Sequence, residues 1–597
     1  MSTKNKKGMT LIEVLVAVAI FIFVSISVYQ AYSGLLALVS LSRVKITAAN
    51  LASEQFEIAK NLPYASVGTI AGVPSGVLTP NQNLIRDGKT FGVRTTVRNV
   101  DDPFDGVAGG TPNDTSPADY KLVEIEVSCA ECVDFTPIVL STRVSPKSLE
   151  AASTNGSLFI TVFDASGIPI QGATVHVVNT ASSIDLTDVT NVEGKLQIID
   201  TPPGNENYEI TVTKTDYSTD MTYPSGAVGN PSPVKPHATV AVQTVTDISF
   251  SIDRLSIIEV STVRNTCSAV GNVDFDMQGA KLIGTGPDVL KYSSSLETNA
   301  SGLRTVADLE WDTYGITMTD PSYYLAGTIS PLPIALSPNS TQNATIVVSD
   351  VLPNAYLVTV KDNASGLPLS GVTVLLEDGV SFSESRVTGR GFLRQTDWSG
   401  GSGEEDASSN TDEYWSDDGN LELNSPTGVI KLENLFGNHA LSGNLESSTF
   451  DTGAAADFFD ISWEPASQPV GAGADSVKMQ VATSDDEDGP WSFTGPDGTA
   501  GTFYTLSDRN IHSSNNGKRY FRYKVYLSTA DTLTTPTVSD IAFTFTSSCA
   551  PPGQVLFNNL SAGTYDITVT KAGYQDYVQP VTIGAGWQSI EVPLLTN

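Results

Sequence analysis

The residues best suited to chemistry lie within the first 13 positions. A short basic leader ends at Gly8, and an almost uncharged apolar run begins at Met9. One carboxylate, Glu13, interrupts this run, and a charge in a membrane-length apolar segment is costly and typically functional. Cleavage after Gly8 would leave a free ammonium on Met9. In a packed array of such helices, the Glu13 of one chain could neutralise the Met9 ammonium of the next.

The segment from Gly8 to Glu13, GMTLIE, resembles the class III signal of type IV prepilins and pseudopilins. In that family a prepilin peptidase cleaves after the glycine and methylates the new N-terminus. The resemblance therefore implies a methylated Met9, which replaces the more usual phenylalanine, and an assembly role for Glu13. The implied partners are the peptidase, other pilin subunits and the inner membrane before assembly. The bulk of the chain is expected to be extracytoplasmic, and to lie on a cell-surface filament after assembly.

Two simpler interpretations explain less of the N-terminus. A secretory signal peptide has a small-residue cleavage site after a short apolar core, whereas this core is long and has no such site. A plain anchor helix would be long enough to span a membrane. It would explain neither Glu13 nor the Gly8–Met9 junction.

The composition excludes one class of partner and favours one class of fold. Among 597 residues, 66 Asp and Glu oppose 33 Lys and Arg, which gives a net charge of −33. No nucleic-acid partner is expected, because phosphate recognition needs clustered cations. Turn-forming residues are abundant after residue 60 and helix-forming runs are scarce, which predicts a mainly β body.

The cysteines predict disulfides. Four cysteines in an exported chain allow two bridges in three connectivities. Cys129 and Cys132 are predicted to flank a hairpin turn, within disulfide distance. A redox pair would open a helix in a βαβ setting, and zinc would need further ligands nearby; the sequence offers neither context. Cys267 and Cys549 could pair across modules, which the sequence leaves open.

The elements that position these residues follow from periodicity. Residues 1–8 form the leader, and residues 9–62 are predicted to form one long helix whose first half lies in membrane or filament core. Pro63 should end that helix, since proline disfavours helical residues before it. Residues 63–150 are predicted to form a small α+β head.

An internal repeat follows the head. Residues 157–175, SLFITVFDASGIPIQGATV, are similar to residues 356–374, YLVTVKDNASGLPLSGVTV. These segments resemble carboxypeptidase regulatory-like and Cna-B-like β-sandwiches. The predicted modules are a first sandwich, a divergent second one, a third one split in two, and a β-sandwich inserted in the third: 156–252, 253–350, 351–396 with 551–597, and 397–550.

The body of the chain lacks the common catalytic and metal-binding sequence motifs. No Ser-His-acid set, zinc-protease helix or phosphate loop is present, so no enzyme activity and no cofactor are expected. Lys361 is the one lysine considered for the isopeptide bond that the Cna-B resemblance suggests. Calcium is considered for the acidic loops 404–418 and 484–490, although neither has the EF-hand spacing. A sugar-binding face is considered for four tryptophans, against core packing as the simpler role: Trp398, Trp415, Trp463 and Trp491.

The sequence thus predicts a long N-terminal helix with a small head, followed by prealbumin- or Ig-like β-sandwich modules. The favoured function is a minor or tip subunit of a type IV pilus-like filament that presents its modules to a surface glycan or protein. A pseudopilin of a type II secretion or DNA-uptake apparatus is the alternative. An unrecognised surface carbohydrate-active enzyme is the third hypothesis.

Overall fold

The computed structural model describes residues 10–146, 152–330, 332–380, 382–403 and 412–597. Gly8 and Met9, and most of the acidic loop 404–418, lie outside these residues. The chain forms two compact units. The first comprises the residues up to Arg254 with Leu282–Val289, and the second comprises Leu255–Lys281 with Leu290–Asn597.

The first unit begins with one long helix, α1, at Leu11–Asn61. Thr10 caps its start, and Leu62 ends it directly before Pro63, as the proline predicts. Residues 11–40 of the helix are exposed along all sides. The second half buries one face at helical spacing against the head, through a set of apolar residues: Val44, Ala48, Leu51, Ala52, Phe56 and Ala59.

The head is an antiparallel sheet of four strands in chain order, with a 3₁₀ turn at Tyr64–Ser66 leading into it. Its core side chains alternate along the two central strands, as expected for a sheet with one covered face. They pack against α1 and include Phe91, Val93, Val123 and Ile125. The strands are β1 (Asn81–Arg86), β2 (Lys89–Val100), β3 (Tyr120–Ser128) and β4 (Ile138–Val144).

The first sandwich follows the head, with a 3₁₀ turn at Thr180–Ser182. Its strands are β5 (Gly156–Phe163), β6 (Thr174–Asn179), β7 (Ile184–Val189), β8 (Lys195–Thr201), β9 (Gly204–Thr213), β10 (Asp220–Met221), β11 (Ala238–Val240) and β12 (Val245–Ser251). One sheet has the order β12-β5-β8, and the other has β10-β9-β6-β7 with β11 also on β9. Strand β5 is parallel to β12, and the remaining pairs are antiparallel.

The second sandwich, predicted as a divergent copy, has the same arrangement. Its strands are β13 (Ser256–Val263), β14 (Asp274–Gly279), β15 (Leu282–Gly284), β16 (Val289–Leu290), β17 (Ser293–Glu297), β18 (Leu303–Leu309), β19 (Asp312–Met318), β20 (Tyr323–Thr328), β21 (Ile334–Leu336) and β22 (Thr341–Asp350). The sheets have the orders β18-β13-β22-β20 and β17-β14-β19-β21. Strands β13 and β22 are the parallel pair.

The third sandwich begins with β23 (Ala355–Asp362), β24 (Thr373–Glu377) and β25 (Ser383–Val387). The chain then leaves it for an inserted β domain. The strands of the insert are β26 (Gly391–Gln395), β27 (Gly401–Ser402), β28 (Glu413–Asp417), β29 (Leu421–Asn424), β30 (Thr427–Leu432), β31 (Asn434–Leu435), β32 (Asn438–His439), β33 (Ser442–Ser447), β34 (Phe450–Ala456), β35 (Phe458–Glu464), β36 (Val477–Ser484), β37 (Arg509–Asn510), β38 (Lys518–Ser528), β39 (Thr537–Val538) and β40 (Asp540–Phe545).

Two main sheets enclose the core of the insert. One has the order β26-β40-β35-β37, and the other has β27-β28-β33-β38-β34 with β36 also on β38. A smaller sheet, β29-β30-β39, and two 3₁₀ turns, Val470–Ala472 and Ser513–Asn515, complete it. The core is rich in aromatic rings, with Phe521 and Phe543 stacked at a centroid distance of 3.9 Å.

The chain then returns to complete the third sandwich with β41 (Gln554–Phe557), β42 (Gly563–Thr570), β43 (Tyr577–Ile583) and β44 (Trp587–Leu594). The sheets have the orders β41-β23-β44 and β25-β24-β42-β43. The three sandwiches therefore share one topology: a central first strand with a parallel last strand on one side and an antiparallel middle strand on the other.

The predicted boundary of the insert at residue 397 is wrong by one strand. Residues 391–395 were placed in the third sandwich, yet β26 pairs with β40 of the insert throughout its length. The last host strand before the insertion, β25, ends at Val387, and Gly389 N–H donates to Gln554 O at 3.4 Å, so the two ends of the insertion are adjacent. Each sandwich has an equivalent threonine at this position in its fold. The hydroxyl oxygen of that threonine accepts a hydrogen bond from a backbone N–H at 2.9–3.1 Å: Thr190, Thr298 and Thr388.

Candidate functional site: the exposed half of the N-terminal helix

The start of α1 is a reciprocal cap between Thr10 and Glu13. The backbone N–H and the hydroxyl of Thr10 donate to Glu13 Oε2 at 2.9 and 3.0 Å, and Glu13 N–H donates to Thr10 Oγ1 at 3.4 Å. This capping box satisfies N–H groups that a helix leaves without partners. It also holds the Glu13 carboxylate at the first turn of the helix.

The apolar residues that follow have no cover within the chain. Leu11 is 80% exposed and Phe23 is 74% exposed. Residues 11–40 extend about 45 Å at about 1.5 Å per residue, which exceeds the ~30 Å hydrocarbon core of a bilayer. Within the residues that the structure describes, α1 is the one helix long and apolar enough to span a membrane. Such a surface needs lipid or other apolar helices around it.

The second half of α1 is held by the head. Beyond the apolar contacts, Arg86 bonds both oxygens of Glu54 on the helix at 3.2 Å. The ammonium of Lys121 on β3 donates to Tyr64 O at 2.9 Å and to Val67 O at 2.6 Å, just after the helix ends. Burial lowers the pKa of Lys121, and these carbonyl oxygens compensate for the water that it loses.

The head is joined to the first sandwich by a buried ion pair. Arg98 on β2 donates to both carboxylate oxygens of Asp188 on β7, at 2.6 and 2.5 Å, and the Asp188 side chain is 3% exposed. These charge-assisted bonds raise the pKa of Arg98. Asn99 adds a bond to Ile199 O at 3.0 Å. The helix, head and first sandwich are thus connected by fixed polar contacts.

Both cysteine pairs are disulfides in the structure. Cys129 and Cys132 lie 5.4 Å apart at Cα between β3 and β4. Cys267 and Cys549 lie 5.3 Å apart at Cα and connect a turn of the second sandwich to the chain that leaves the insert. The sequence placed the first bridge at its turn and left the second open.

The four tryptophans do not form one face. Trp398 and Trp463 are core residues, 0% and 2% exposed. Trp415 is 45% exposed, and its ring lies 4.6 Å from the guanidinium carbon of Arg522. Trp491 lies on the same guanidinium at 4.6 Å. Core packing, the simpler interpretation, holds for the first pair.

The loops considered for calcium do not bring ligands together among the described residues. In 484–490, Asp485 instead forms an ion pair with Lys518 at 2.5 Å. Three carboxylates do converge in the head loop, where Asp105, Asp114 and Asp119 place oxygens within 4.8 Å of one another. The sequence analysis missed this cluster, although the density of aspartates between β2 and β3 signals it. Acidic clusters of this kind are common without an ion.

Lys361, considered for an isopeptide bond, forms an ion pair. Its ammonium lies 2.5 Å from Glu591 Oε2, across the parallel strands β23 and β44. Among the described residues, this ammonium donates a hydrogen bond to Glu591 and to no asparagine.

Comparison with known proteins identifies the N-terminal segment. Residues 3–29 match the family model described as the prokaryotic N-terminal methylation motif. No curated protein matches the chain. The class III signal followed by β-sandwich modules, predicted from the sequence, is thereby confirmed.

Solved structures similar to the chain include two pilins and a protein of Bacillus anthracis. The Bacillus anthracis TIE protein is 11% identical over 87% of this chain and 61% of its own, with a TM-score of 0.16. The streptococcal ancillary pilin is 11% identical over 74% and 99%, with a TM-score of 0.14. GBS52, the minor pilin of Streptococcus agalactiae, is 14% identical over 33% and 96%, with a TM-score of 0.17. This chain therefore spans less than two thirds of the TIE protein, and TM-scores this low carry no argument.

The class of protein follows from the N-terminus. A prepilin-type signal, an apolar helix of membrane length and a large β body are the features of a pilin-type surface subunit with an N-terminal membrane anchor. The signal implies processing by a prepilin peptidase and assembly with other pilin subunits.

Proposed function

We propose that the chain is a minor or tip subunit of a type IV pilus-like filament. Its N-terminal helix supplies the assembly contacts, and its β-sandwich modules present a surface for adhesion or ligand binding, without catalysis. The observation that carries the proposal is the difference between the two halves of α1: the first half is exposed, and the second half is packed against the head. Residues 11–40 are exposed and mostly apolar, begin at the Thr10–Glu13 cap, and overlap the methylation motif at residues 3–29.

The size of the body supports a rare or terminal subunit. Packed helices lie about 8–10 Å apart, whereas a single β-sandwich already has about 10 Å between its two sheets. This chain carries a head, three sandwiches and an insert after α1. Neighbours that all bore such a body would collide in a regular helical array, so few subunits of this kind fit in one filament.

Processing is tested first. Replacing Gly8 by valine should block cleavage and leave the full-length precursor in the membrane, because the larger side chain occupies the residue before the scissile bond. Mass spectrometry of the wild-type protein should find a methylated N-terminus at Met9. A mature N-terminus beyond residue 25 would show cleavage by an ordinary signal peptidase and would refute the filament assignment.

The role of Glu13 is tested by variants that separate its charge from its cap. Glu13→Gln keeps the capping geometry, since Gln also serves at this position, but removes the charge. Thr10→Ala keeps the charge and removes the reciprocal cap. If the carboxylate neutralises a neighbour's ammonium, Glu13→Gln should be cleaved normally and be absent from filaments, while Thr10→Ala assembles. Glu57→Ala, at an exposed site on the same helix, is the control.

The opposite pattern would contradict the charge pair. Normal incorporation of Glu13→Gln with loss of Thr10→Ala would mean that the helix start alone matters. Immunogold labelling of the insert then distinguishes the locations. Label at filament tips supports the proposed subunit, and label confined to the cell envelope would favour a secretion pseudopilin.

A further inference from the structure

The second unit contains a cavity of about 340 Å³ where the second sandwich, the third sandwich and the insert meet. Four arginines contribute to its wall: Arg264 from the second sandwich, Arg386 from the third, and Arg390 and Arg394 from the entry into the insert. The chain as a whole has twice as many acids as bases, 66 against 33. Four arginines thus converge on one cavity in a chain that is acidic overall.

Three of the four acids that pair with these arginines are not among the residues that line the cavity. Arg264 is bonded to both oxygens of Asp350 at 2.9 Å, and Asp350 is the one carboxylate among the lining residues. Each of the other three arginines has an acid outside the cavity as its partner: Glu384 for Arg386, Asp460 for Arg390 and Asp540 for Arg394. The wall itself thus presents four guanidinium groups and one carboxylate.

Two of the guanidinium groups keep unused donors in a dry environment. The Arg386 side chain is 6% exposed, and its Nη2 is buried with no hydrogen-bond partner in the described part of the chain. Arg394 Nε and Asn558 Oδ1, on residues of the same wall, are also buried without partners. Buried polar atoms without partners are rare and call for an explanation. Burial lowers the pKa of Arg386, and the positive charge of Arg394 lowers it further.

The cavity is preformed by fixed contacts. Asn265, next to Arg264, donates to Phe392 O at 2.5 Å, and Ser547 Oγ donates to Asn265 O at 2.5 Å. Two residues further on, Cys267 is joined to Cys549. A covalent bond therefore joins the turn after Arg264 to the segment that follows β40, the strand paired with β26. A rigid wall lowers the entropy lost when a ligand binds.

We propose that this cavity binds the carboxylate of an acidic monosaccharide, a uronate. A guanidinium fork matches a carboxylate with two parallel N–H···O bonds. The cavity has the size of a small ligand site, and Asn558 Oδ1 in its wall, which has no partner among the described residues, can accept a hydrogen bond from a sugar hydroxyl group. Arg264 and Arg390, with side chains 21% and 28% exposed, are the two most exposed arginines of the wall. This site is independent of the filament role of α1.

The test is a titration of the full chain in detergent by isothermal calorimetry, with D-glucuronate as the probe. D-Glucose is the matched neutral sugar, and inorganic phosphate is the matched anion without a sugar ring. Arg264→Gln and Arg390→Gln remove partly exposed wall residues and should leave the fold intact. Arg519→Gln is the control variant, because Arg519 also bonds both oxygens of an aspartate, Asp451, but lies outside the cavity.

Glucuronate should bind and glucose should not. Each cavity variant should weaken glucuronate binding by about tenfold or more, the effect of about 1.4 kcal/mol, and Arg519→Gln should bind like the wild type. Three results would overturn the proposal. They are no binding of glucuronate, equal binding by the cavity variants, or phosphate binding tighter than glucuronate.

Discussion

Two fragments of the insert test where this domain begins. The longer fragment, residues 389–550, starts where the host strand ends, and the shorter one, residues 397–550, starts where the sequence alone placed the boundary. They differ only by the turn at Gly389 and by strand β26. Both carry Cys549→Ser, because the partner of Cys549 lies outside the insert. The longer fragment is expected to fold alone, since the buried cluster that forms its core lies within residues 393–545.

The free energy that β26 contributes can be worked out from three contacts. Leu393 is 4% exposed in the core, and deleting such a side chain costs about 2–5 kcal/mol. Arg394 pairs with the buried Asp540, and leaving one member of such a pair costs about 3–5 kcal/mol. The carboxamide of Gln395 accepts the buried Tyr523 hydroxyl at 2.6 Å, worth about 1–3 kcal/mol once broken. The lowest values of these three ranges add up to about 6 kcal/mol of lost stability. A typical domain has a free energy of unfolding of about 5–15 kcal/mol.

Urea unfolding of both fragments, followed by far-UV circular dichroism and tryptophan fluorescence, measures the difference. At an m-value of about 2 kcal/mol per molar urea, the midpoint of the shorter fragment should fall by about 3 M, or the fragment should be unfolded in buffer. Leu393→Ala in the longer fragment should lie between the two. Equal midpoints would refute the assignment of β26 to the insert, and so would an unfolded longer fragment beside a folded shorter one.

Further expectations concern the disulfides and the head loop. Replacing Cys267 and Cys549 by serine should destabilise the second unit by up to about 5 kcal/mol, whereas replacing Cys129 and Cys132 should cost only about 2 kcal/mol. The difference is expected because the unfolded-chain entropy that a bridge removes grows with the length of the loop it closes. Calorimetry that found equal losses of stability would contradict this expectation. Asp101→Asn should raise the melting temperature of the first unit at neutral pH, because burial and three neighbouring aspartates raise the pKa of Asp101. A raised carboxyl pKa means that stability is lost as the pH rises through the folded-state pKa, so the advantage of the variant should shrink in acid; an advantage unchanged down to pH 3 would contradict the electrostatic cause.

The sequence predicted those features that depend on local patterns. Glu13 could be recognised because a single carboxylate in an apolar run is conspicuous, and Pro63 fixed the end of α1. The repeated sandwiches were recognisable because residues 157–175 and 356–374 keep the same order of strand, turn and strand. Each of these signals lies within about 20 consecutive residues.

Features that depend on distant residues could not be predicted in this way. The segment GFLRQ alternates apolar and polar side chains, which suits a strand in either the host or the insert, so periodicity could not assign β26. The arginine cavity joins Arg264 to residues more than 120 positions later. The partner of Cys267 became definite only with the fold, because pairing at a separation of 282 residues depends on how the modules meet.

That long separation has a mechanical consequence for a filament subunit of the proposed kind. The bridge between Cys267 and Cys549 encloses residues 268–548, which include most of the second sandwich, the first three strands of the third, and the insert. Tension applied between the two ends of the chain passes through the disulfide and cannot extend the enclosed segment. At about 3.3–3.6 Å per extended residue, the disulfide keeps on the order of 900–1,000 Å of chain from being extended by the pull. The arginines of the cavity wall that follow Cys267 in the sequence, Arg386, Arg390 and Arg394, all lie inside the enclosed segment, and Arg264 lies three residues before Cys267. Three of the four arginines that would hold a ligand in the cavity therefore belong to a segment that a pull along the filament does not unravel.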